Sequence, residues 1–328
     1  MTRGKAFKRR RAICTILVGG LFLSTQVVAA NEKDAGSTAS AEVSMEVALV
    51  SRIHEIEFLD SSLENSVVFR PNVPYITEVQ LFYKEHQLRL ETDNLFDIGV
   101  DDDKGDSSYG NIKYSFSFEK NRYSVYYGNY KGFYVANQRD ASGDFFVFDN
   151  IKTKRYGLEF VSYRSEPRMV TVNNRYPVNY NELPNYFGTV TYGLLFDVST
   201  IKNIPSDPTD LSQIDNSQSI FFNNMELVTL APFVGVIGRL ASSSGYFIES
   251  GLNLGYGLQT REFDLDGIKT DDTDASLVGT FFASIGKTMR NNSAVGVLFS
   301  VESVEPTVGD YEFGIATVNT RIFVTFTF

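Results

Sequence analysis

Two histidines, His54 and His86, are all that the 328-residue chain offers for imidazole chemistry. A Ser–His or Asp–His hydrolase needs its histidine at an accessible rim, beside a nucleophile or an orienting carboxylate. His86 falls in a short polar turn and His54 at the start of an extended segment, so both read as surface or turn histidines. Cys14 is the single cysteine, and it sits in an apolar leader. The chain beyond the leader therefore has no thiol nucleophile, disulfide or cysteine metal site. Catalytic, cofactor-binding and metal-binding residues are expected to be none, and the chain reads as a non-enzyme. Only a carboxylate-only mechanism is left open by the residue types. Two acidic runs, "DDDKGD" (Asp101–Asp106) and "DLDGIKTDDTD" (Asp264–Asp274), could supply oxygen ligands to a divalent cation. Neither has EF-hand spacing, because Gly105 and Gly267 arrive too early. Both read as solvated acidic loops, with weak divalent bridging to lipopolysaccharide phosphates as the sharper alternative.

The remaining chemistry lies in charged residues that alternate with apolar ones. In "NIKYSFSFEK", Ile112, Tyr114, Phe116 and Phe118 share one face, and Lys113, Ser115, Ser117 and Glu119 share the other. "YITEVQLFYKE" sets Thr77, Val79, Leu81 and Tyr83 against Glu78, Gln80 and Lys84, with Ile76 and Phe82 as exceptions. "HQLRLET" sets Leu88 and Leu90 against Arg89 and Glu91. The same alternation runs through "GTVTYGLLF", "FIESGLNLGYGL" and "AVGVLFSVE". Period two means strands with one face in an apolar medium and the other in a polar one. The polar-face charges expected to point into a lumen are Glu78, Arg89, Lys113, Glu119, Glu159, Arg239, Glu249 and Arg321. With Lys84, Glu91 and Glu302 on the same polar faces, carboxylates number six against five cations, so an open, hydrated lumen should favour cations.

The start of the chain says where these strands belong. Arg3, Lys5, Lys8, Arg9, Arg10 and Arg11 precede the apolar run "AICTILVGGLFLSTQVVA", and "VVAA" offers small residues for cleavage near Ala30. This order is that of a cleaved secretory signal. Without its six basic residues the chain carries 24 basic against 40 acidic side chains. Such a balance argues against nucleic acid as a partner. Beyond the leader no apolar run approaches the roughly 20 residues of a spanning helix, yet Phe (27) and Tyr (18) are abundant. The expected fold is all-β: a transmembrane antiparallel up-and-down β-barrel of about twelve strands, with ten as the alternative. Three segments follow: a signal at 1–30, a flexible stretch at 31–50 and the barrel at 51–328.

Two further patterns favour a barrel over a soluble sandwich. Tight connections near 84–86, 120–121, 241–245 and 290–293 alternate with long ones at 95–108, 132–154, 199–226 and 261–273, as short periplasmic turns alternate with external loops. The segment 165–186 interrupts this order and could hold a small extra hairpin. The chain also ends "TRIFVTFTF", with Ile322, Val324, Phe326 and Phe328 on one face. A terminal aromatic behind alternate apolar residues resembles the assembly signal read by the barrel-insertion machinery. A last strand that pairs with the first leaves no open edge.

"FRPNVPY" (Phe69–Tyr75) and "YYGNYKGFYVAN" (Tyr126–Asn137) resemble patches of an uncharacterised, domain-of-unknown-function family of predicted bacterial outer-membrane β-barrels. The resemblance implies the fold and a location in the outer membrane of a Gram-negative bacterium, among its lipid and lipopolysaccharide, and no activity. A polar lumen suggests a channel or transporter for small solutes. A non-conducting barrel in envelope structure or surface interaction is the alternative.

Overall fold

Alternating side chains make every strand of this chain two-faced, and the apolar outer faces leave closure as the arrangement that pairs every edge. The computed structural model describes residues 43–60, 66–93, 100–164, 186–204, 224–265, 268–289, 293–308 and 311–328. Its strands are β1 (Val43–Asp60), β2 (Val67–Arg70), β3 (Tyr75–Tyr83), β4 (His86–Asp93), β5 (Ser108–Phe118), β6 (Asn121–Arg139), β7 (Phe145–Tyr163), β8 (Tyr186–Lys202), β9 (Asn224–Ala241), β10 (Tyr246–Leu265), β11 (Ile268–Thr288), β12 (Ala294–Val308) and β13 (Tyr311–Thr327). Consecutive strands from β3 to β13 pair antiparallel, β1 pairs with β3, and β13 returns to β1 from Ser44↔Thr327 to Asp60↔Tyr311. The result is a closed twelve-strand antiparallel barrel, with β2 as an added short strand. Phe328 N–H donates to the Val43 carbonyl at 2.9 Å, so the seam is bonded to the last residue.

One end of the barrel holds the tight turns at Lys84–Glu85, Glu119–Lys120 and Ser242–Gly245, together with the start of β1 and the end of β13. The other end holds the connections that follow β4, β6, β8, β10 and β12. Along the outside, Val47, Leu81, Tyr114, Leu158, Val234, Leu254 and Ile322 are all exposed, as a lipid-facing belt requires. Tyr83, Phe118, Tyr123, Tyr246 and Phe328 are exposed on the same outer face near the turn end, where an interfacial aromatic girdle belongs. The terminal residues Ile322, Phe326 and Phe328 belong to this outer face.

Several boundaries differ from the sequence expectation. The first strand begins at Val43 rather than after residue 50, so part of the stretch expected to be flexible is wall. The expected long connections at 132–154 and 261–273 are mostly extended hairpins: β6 runs to Arg139 and β7 starts at Phe145, and β10 and β11 are separated only by residues 266–267. Polar composition suggested loops there, but main-chain pairing continues past the apolar belt, and Arg261 bridges to Asp272 and Asp274 across the hairpin. The expected signal at 1–30 and the extra hairpin at 165–186 fall outside the described residues, save Tyr186.

The wall also changes strand number along its length. β3, β4 and β5 reach only to Tyr75, Asp93 and Ser108, level with Ser51 of β1 and Lys131 of β6. Beyond that level β2 replaces all three: Ile56–Phe58 pair with Val67–Phe69, and Phe69 and Arg70 pair with Val135 and Tyr134. The path around the wall then counts ten strands. The step is fixed by hydrogen bonds. The Asn72 amide donates to the Asp101 and Gly105 carbonyls at 2.6 and 2.9 Å, and the Ser107 hydroxyl donates to the Gly132 carbonyl at 2.9 Å. Gly132 has φ 81 and sits at a register shift of β6. This bulge reverses which parity faces inward: Ser124 and Tyr126 point in below it, Phe133 and Val135 above it. A side chain at Gly132 would also collide with the Asp106 carbonyl. Phe69–Tyr75 and Tyr126–Asn137, the two patches read from the sequence, therefore meet in this one junction.

Candidate functional site

The ten-strand course is filled with apolar side chains. Phe58, Phe69, Phe133, Val135, Ile151, Ile201, Met225 and Leu227 are buried there in one cluster, with Phe146, Phe148 and Ile315 packed on it. Toward the turn end the lumen is filled differently. Arg321 donates to both Glu46 and Glu78, the Thr325 hydroxyl donates to Glu46 at 2.7 Å, and the Gln80 amide donates to Glu78. Arg239 and Glu249 form a second buried pair at 3.2 Å. Between these pairs, inward aromatic rings lie over inward glycines: Phe282 on Gly251, Phe233 on Gly193, Phe247 on Gly286 and Phe323 on Gly296. A Cβ at any of these glycines would enter the ring beside it, so the glycines make room for rings that fill the lumen. Phe323, an aromatic ring on the same strand face as Arg321 and Thr325, is therefore lumen packing.

Between the two fillings lies a chamber of about 320 Å³ with a mixed lining of charged, polar and apolar side chains. Arg52 donates to the Glu91 carboxylate at 2.9 Å and to Asn319 Oδ1 at 2.5 Å, and the Tyr109 hydroxyl donates to the same Glu91 oxygen. The Lys113 ammonium meets Glu159 at 2.9 Å, and Arg122 approaches the same carboxylate oxygen at 3.5 Å. Arg155 bridges Asp197 at 2.6 Å and Glu302 at 3.2 Å, and the Tyr126 hydroxyl donates to Asp197. The facing wall is neutral: Thr191 donates to Asn253 at 2.9 Å, Asn253 to Thr280 at 3.1 Å and Asn319 to Ser300 at 3.2 Å. Ionic groups taken out of bulk water need partners of this kind.

His54 corrects the sequence reading. It lies well inside β1, not at a strand start, and its ring stacks on Tyr130 with centroids 4.3 Å apart. Its Nδ1 lies 3.0 Å from the Thr317 hydroxyl. It lines the chamber. His86 opens β4 just after a turn, with Nδ1 2.6 Å from the Tyr114 hydroxyl.

Of the charges expected in the lumen, Arg89, Lys113 and Glu159 line the chamber, and Glu78, Arg239, Glu249 and Arg321 are buried in the turn-end filling. Glu119 is elsewhere: it is exposed in the tight turn with φ 50, because the alternation of β5 stops at Phe118. The expected acidic lumen is corrected too. Arg52, Arg89, Lys113, Arg122 and Arg155 line the chamber against Glu91, Glu159, Asp197 and Glu302. Ser115 is no open polar position either, being buried and bonded to Ser124 at 2.9 Å.

Sequence reading missed Glu46, Arg52, Tyr109, Arg122, Tyr126, Arg155 and Asp197. For Glu46 and Arg52 a signal was present, since Val47, Leu49 and Ile53 alternate with them. In β6, Tyr occupies both parities at 126 and 127, so periodicity there carried no direction.

The acidic segments are engaged locally. The Asp101 carboxylate accepts from Lys104 and from the Asp103 N–H, which hold its pKa below the usual aspartate value. Among the described residues, no group of three or more His, Cys, Asp or Glu side chains could hold a metal ion.

No family model matches the chain, and no curated protein matches it. The outer-membrane family suggested by Phe69–Tyr75 and Tyr126–Asn137 thus has no matching model, and what stands of it is the barrel. Solved structures do resemble the chain. The translocator domain of the autotransporter NalP from Neisseria meningitidis is 11% identical, with a TM-score of 0.43, covering 96% of this chain and 97% of that one. The outer membrane protease OmpT from Escherichia coli is 10% identical, with a TM-score of 0.37, covering 90% and 99%. The toluene transporter TodX of Pseudomonas putida is 7% identical, with a TM-score of 0.30, covering 89% and 91%.

Proposed function

We propose that the chain is an outer-membrane β-barrel of a Gram-negative bacterium, exported on a signal at residues 1–30, whose lumen is occluded at rest and whose central chamber receives a small solute in transit. The observation that carries this reading is the chamber itself: a space lined by hydrogen-bonding and charged groups, held between an apolar filling at the loop end and an ion-paired one at the turn end. A purely structural barrel has no need of a chamber of this size, which lies at the lower end of ligand-pocket volumes. Purified protein in planar bilayers should be silent at low voltage, and proteoliposomes should admit small polar solutes slowly. Continuous porin-like steps from the wild type would overturn the occluded reading. A non-conducting barrel for envelope structure or surface interaction is the second reading, favoured by the apolar filling, which bars ions. Silence in the bilayer together with no solute entry would select it.

The same reading assigns Ile322, Val324, Phe326 and Phe328 to recognition by the barrel-insertion machinery, with lipid and lipopolysaccharide around the belt. Deleting Phe328 should lower the heat-modifiable, folded fraction in outer membranes. An unchanged level would refute that role. Weak divalent bridging by the acidic segments to lipopolysaccharide is retained as a proposal only for carboxylates outside the local Asp101–Lys104 contact.

A further inference from the structure

We propose that the chamber binds a small organic anion, its carboxylate held by the Arg89 guanidinium beside Lys113 and Arg122, its apolar part against the His54–Tyr130–Tyr109 rings. This rests on reading the chamber as a solute site and names the class of solute.

Arg89 carries the argument. It faces the chamber from β4, and its nearest carboxylate oxygens, on Glu78 and Glu91, are both 3.9 Å away, beyond hydrogen-bond distance. Each of those carboxylates is engaged through its other oxygen: Glu78 Oε1 accepts from Arg321 and Gln80, and Glu91 Oε2 accepts from Arg52 and Tyr109, which leaves Glu78 Oε2 and Glu91 Oε1 toward Arg89. The Arg89 Nε is buried without a hydrogen-bond partner among the described residues. A buried guanidinium normally engages a carboxylate through its fork of N–H donors, and leaving a buried donor unmatched costs free energy. The Arg89 side chain keeps 21% exposure and lines the chamber, so a ligand carboxylate there would give the exposed part of the guanidinium an acceptor.

The surroundings favour an anion over a neutral guest. Arg89 is paired in register with Lys113 on β5, and Lys113 and Arg122 both lean on one Glu159 oxygen. This wall therefore brings three cations together, two of them on one Glu159 oxygen. Beside it, Tyr109 and Tyr130 have centroids 4.4 Å apart, and His54 stacks on Tyr130 with centroids 4.3 Å apart. Flat rings beside a guanidinium suit an aromatic or short-chain carboxylate, with the polar part on the cations and the carbon skeleton on the rings.

The test uses the whole folded barrel in detergent. Its thermal unfolding midpoint is followed by heat-modifiability as benzoate, succinate, glucose or putrescine is titrated at constant ionic strength. Ligand that binds the folded state alone raises the midpoint with saturation. Benzoate, succinate or both should do so. Arg89→Gln should weaken the anion by about tenfold or more, as expected for loss of a charge-assisted contact, and Arg89→Lys, which keeps the charge but not the fork, should weaken it less. If Arg89→Gln does not fold, Lys113→Gln read against the same anion replaces it, with a weakening expected again. Saturable binding of glucose or putrescine without the carboxylates would overturn the anion and leave the chamber as a solute site. No saturable effect of any probe would overturn both. Equal affinity in Arg89→Gln and wild type would overturn the assignment to this wall.

Discussion

Arg321→Met lowers the unfolding free energy by about 3–5 kcal/mol, the range for breaking a buried ion pair from one side. The side chains of Arg321, Glu46 and Glu78 are 4%, 0% and 3% exposed, so solvent does little to replace the lost cation. Methionine fills much of the volume and leaves two carboxylates facing each other in the lumen. The effect should be concentrated at the seam, because Arg321 is on β13 and Glu46 on β1, the strands whose pairing closes the barrel. Denaturant titration followed by heat-modifiability measures it. Adding Glu46→Gln and Glu78→Gln to Arg321→Met should recover most of the loss, since the amides remain hydrogen-bonding groups without the charge. A single variant within about 1 kcal/mol of wild type would be the value of an exposed pair, and would mean that this end of the lumen is hydrated.

Phe69→Ala is expected to cost about 3–5 kcal/mol, as for large aromatic truncations in packed cores. Phe69 is 1% exposed, meets Phe58 edge-on at 5.8 Å and lies 5.9 Å from Phe148. It is also the residue through which β2 joins β1 to β6. Truncation leaves a hole in the filling that separates the chamber from the loop end, so the folded fraction should also gain current in planar bilayers. Phe281→Ala, on the outer face, should cost less and leave the bilayer silent. A Phe69→Ala barrel as stable as wild type would show that the ten-strand course is not packed around this ring.

Barrel and belt were legible because period-two alternation is a local property. Leu88, Leu90, Ile112 and Tyr114 announce an apolar medium on one side whatever their strands pair with, and the last strand does the same through Ile322 and Phe326. Direction along the chain followed too, since tight turns need few residues. Glu119 marks the limit of that reasoning: alternation does not say on which residue a strand stops and a turn begins.

Three features needed the closed structure. Gly132 reverses the inward parity of β6, and a bulge is a matter of register between strands, not of spacing within one. Ile76, Phe82 and Phe323 broke the polar faces because inward positions include packed ones, and only the neighbouring strands supply the glycines and rings that pack them. The fate of the lumen charges was decided last. Composition gave an acidic chain and alternation gave inward carboxylates, but Glu46 with Arg321, Glu159 with Lys113 and Asp197 with Arg155 join strands far apart in sequence. The sequence alone determined an all-β barrel with one apolar and one polar face, because both follow from the order of neighbouring residues. The tertiary structure decided which inward side chains pair, which pack and which line the chamber, because those contacts join strands far apart in sequence.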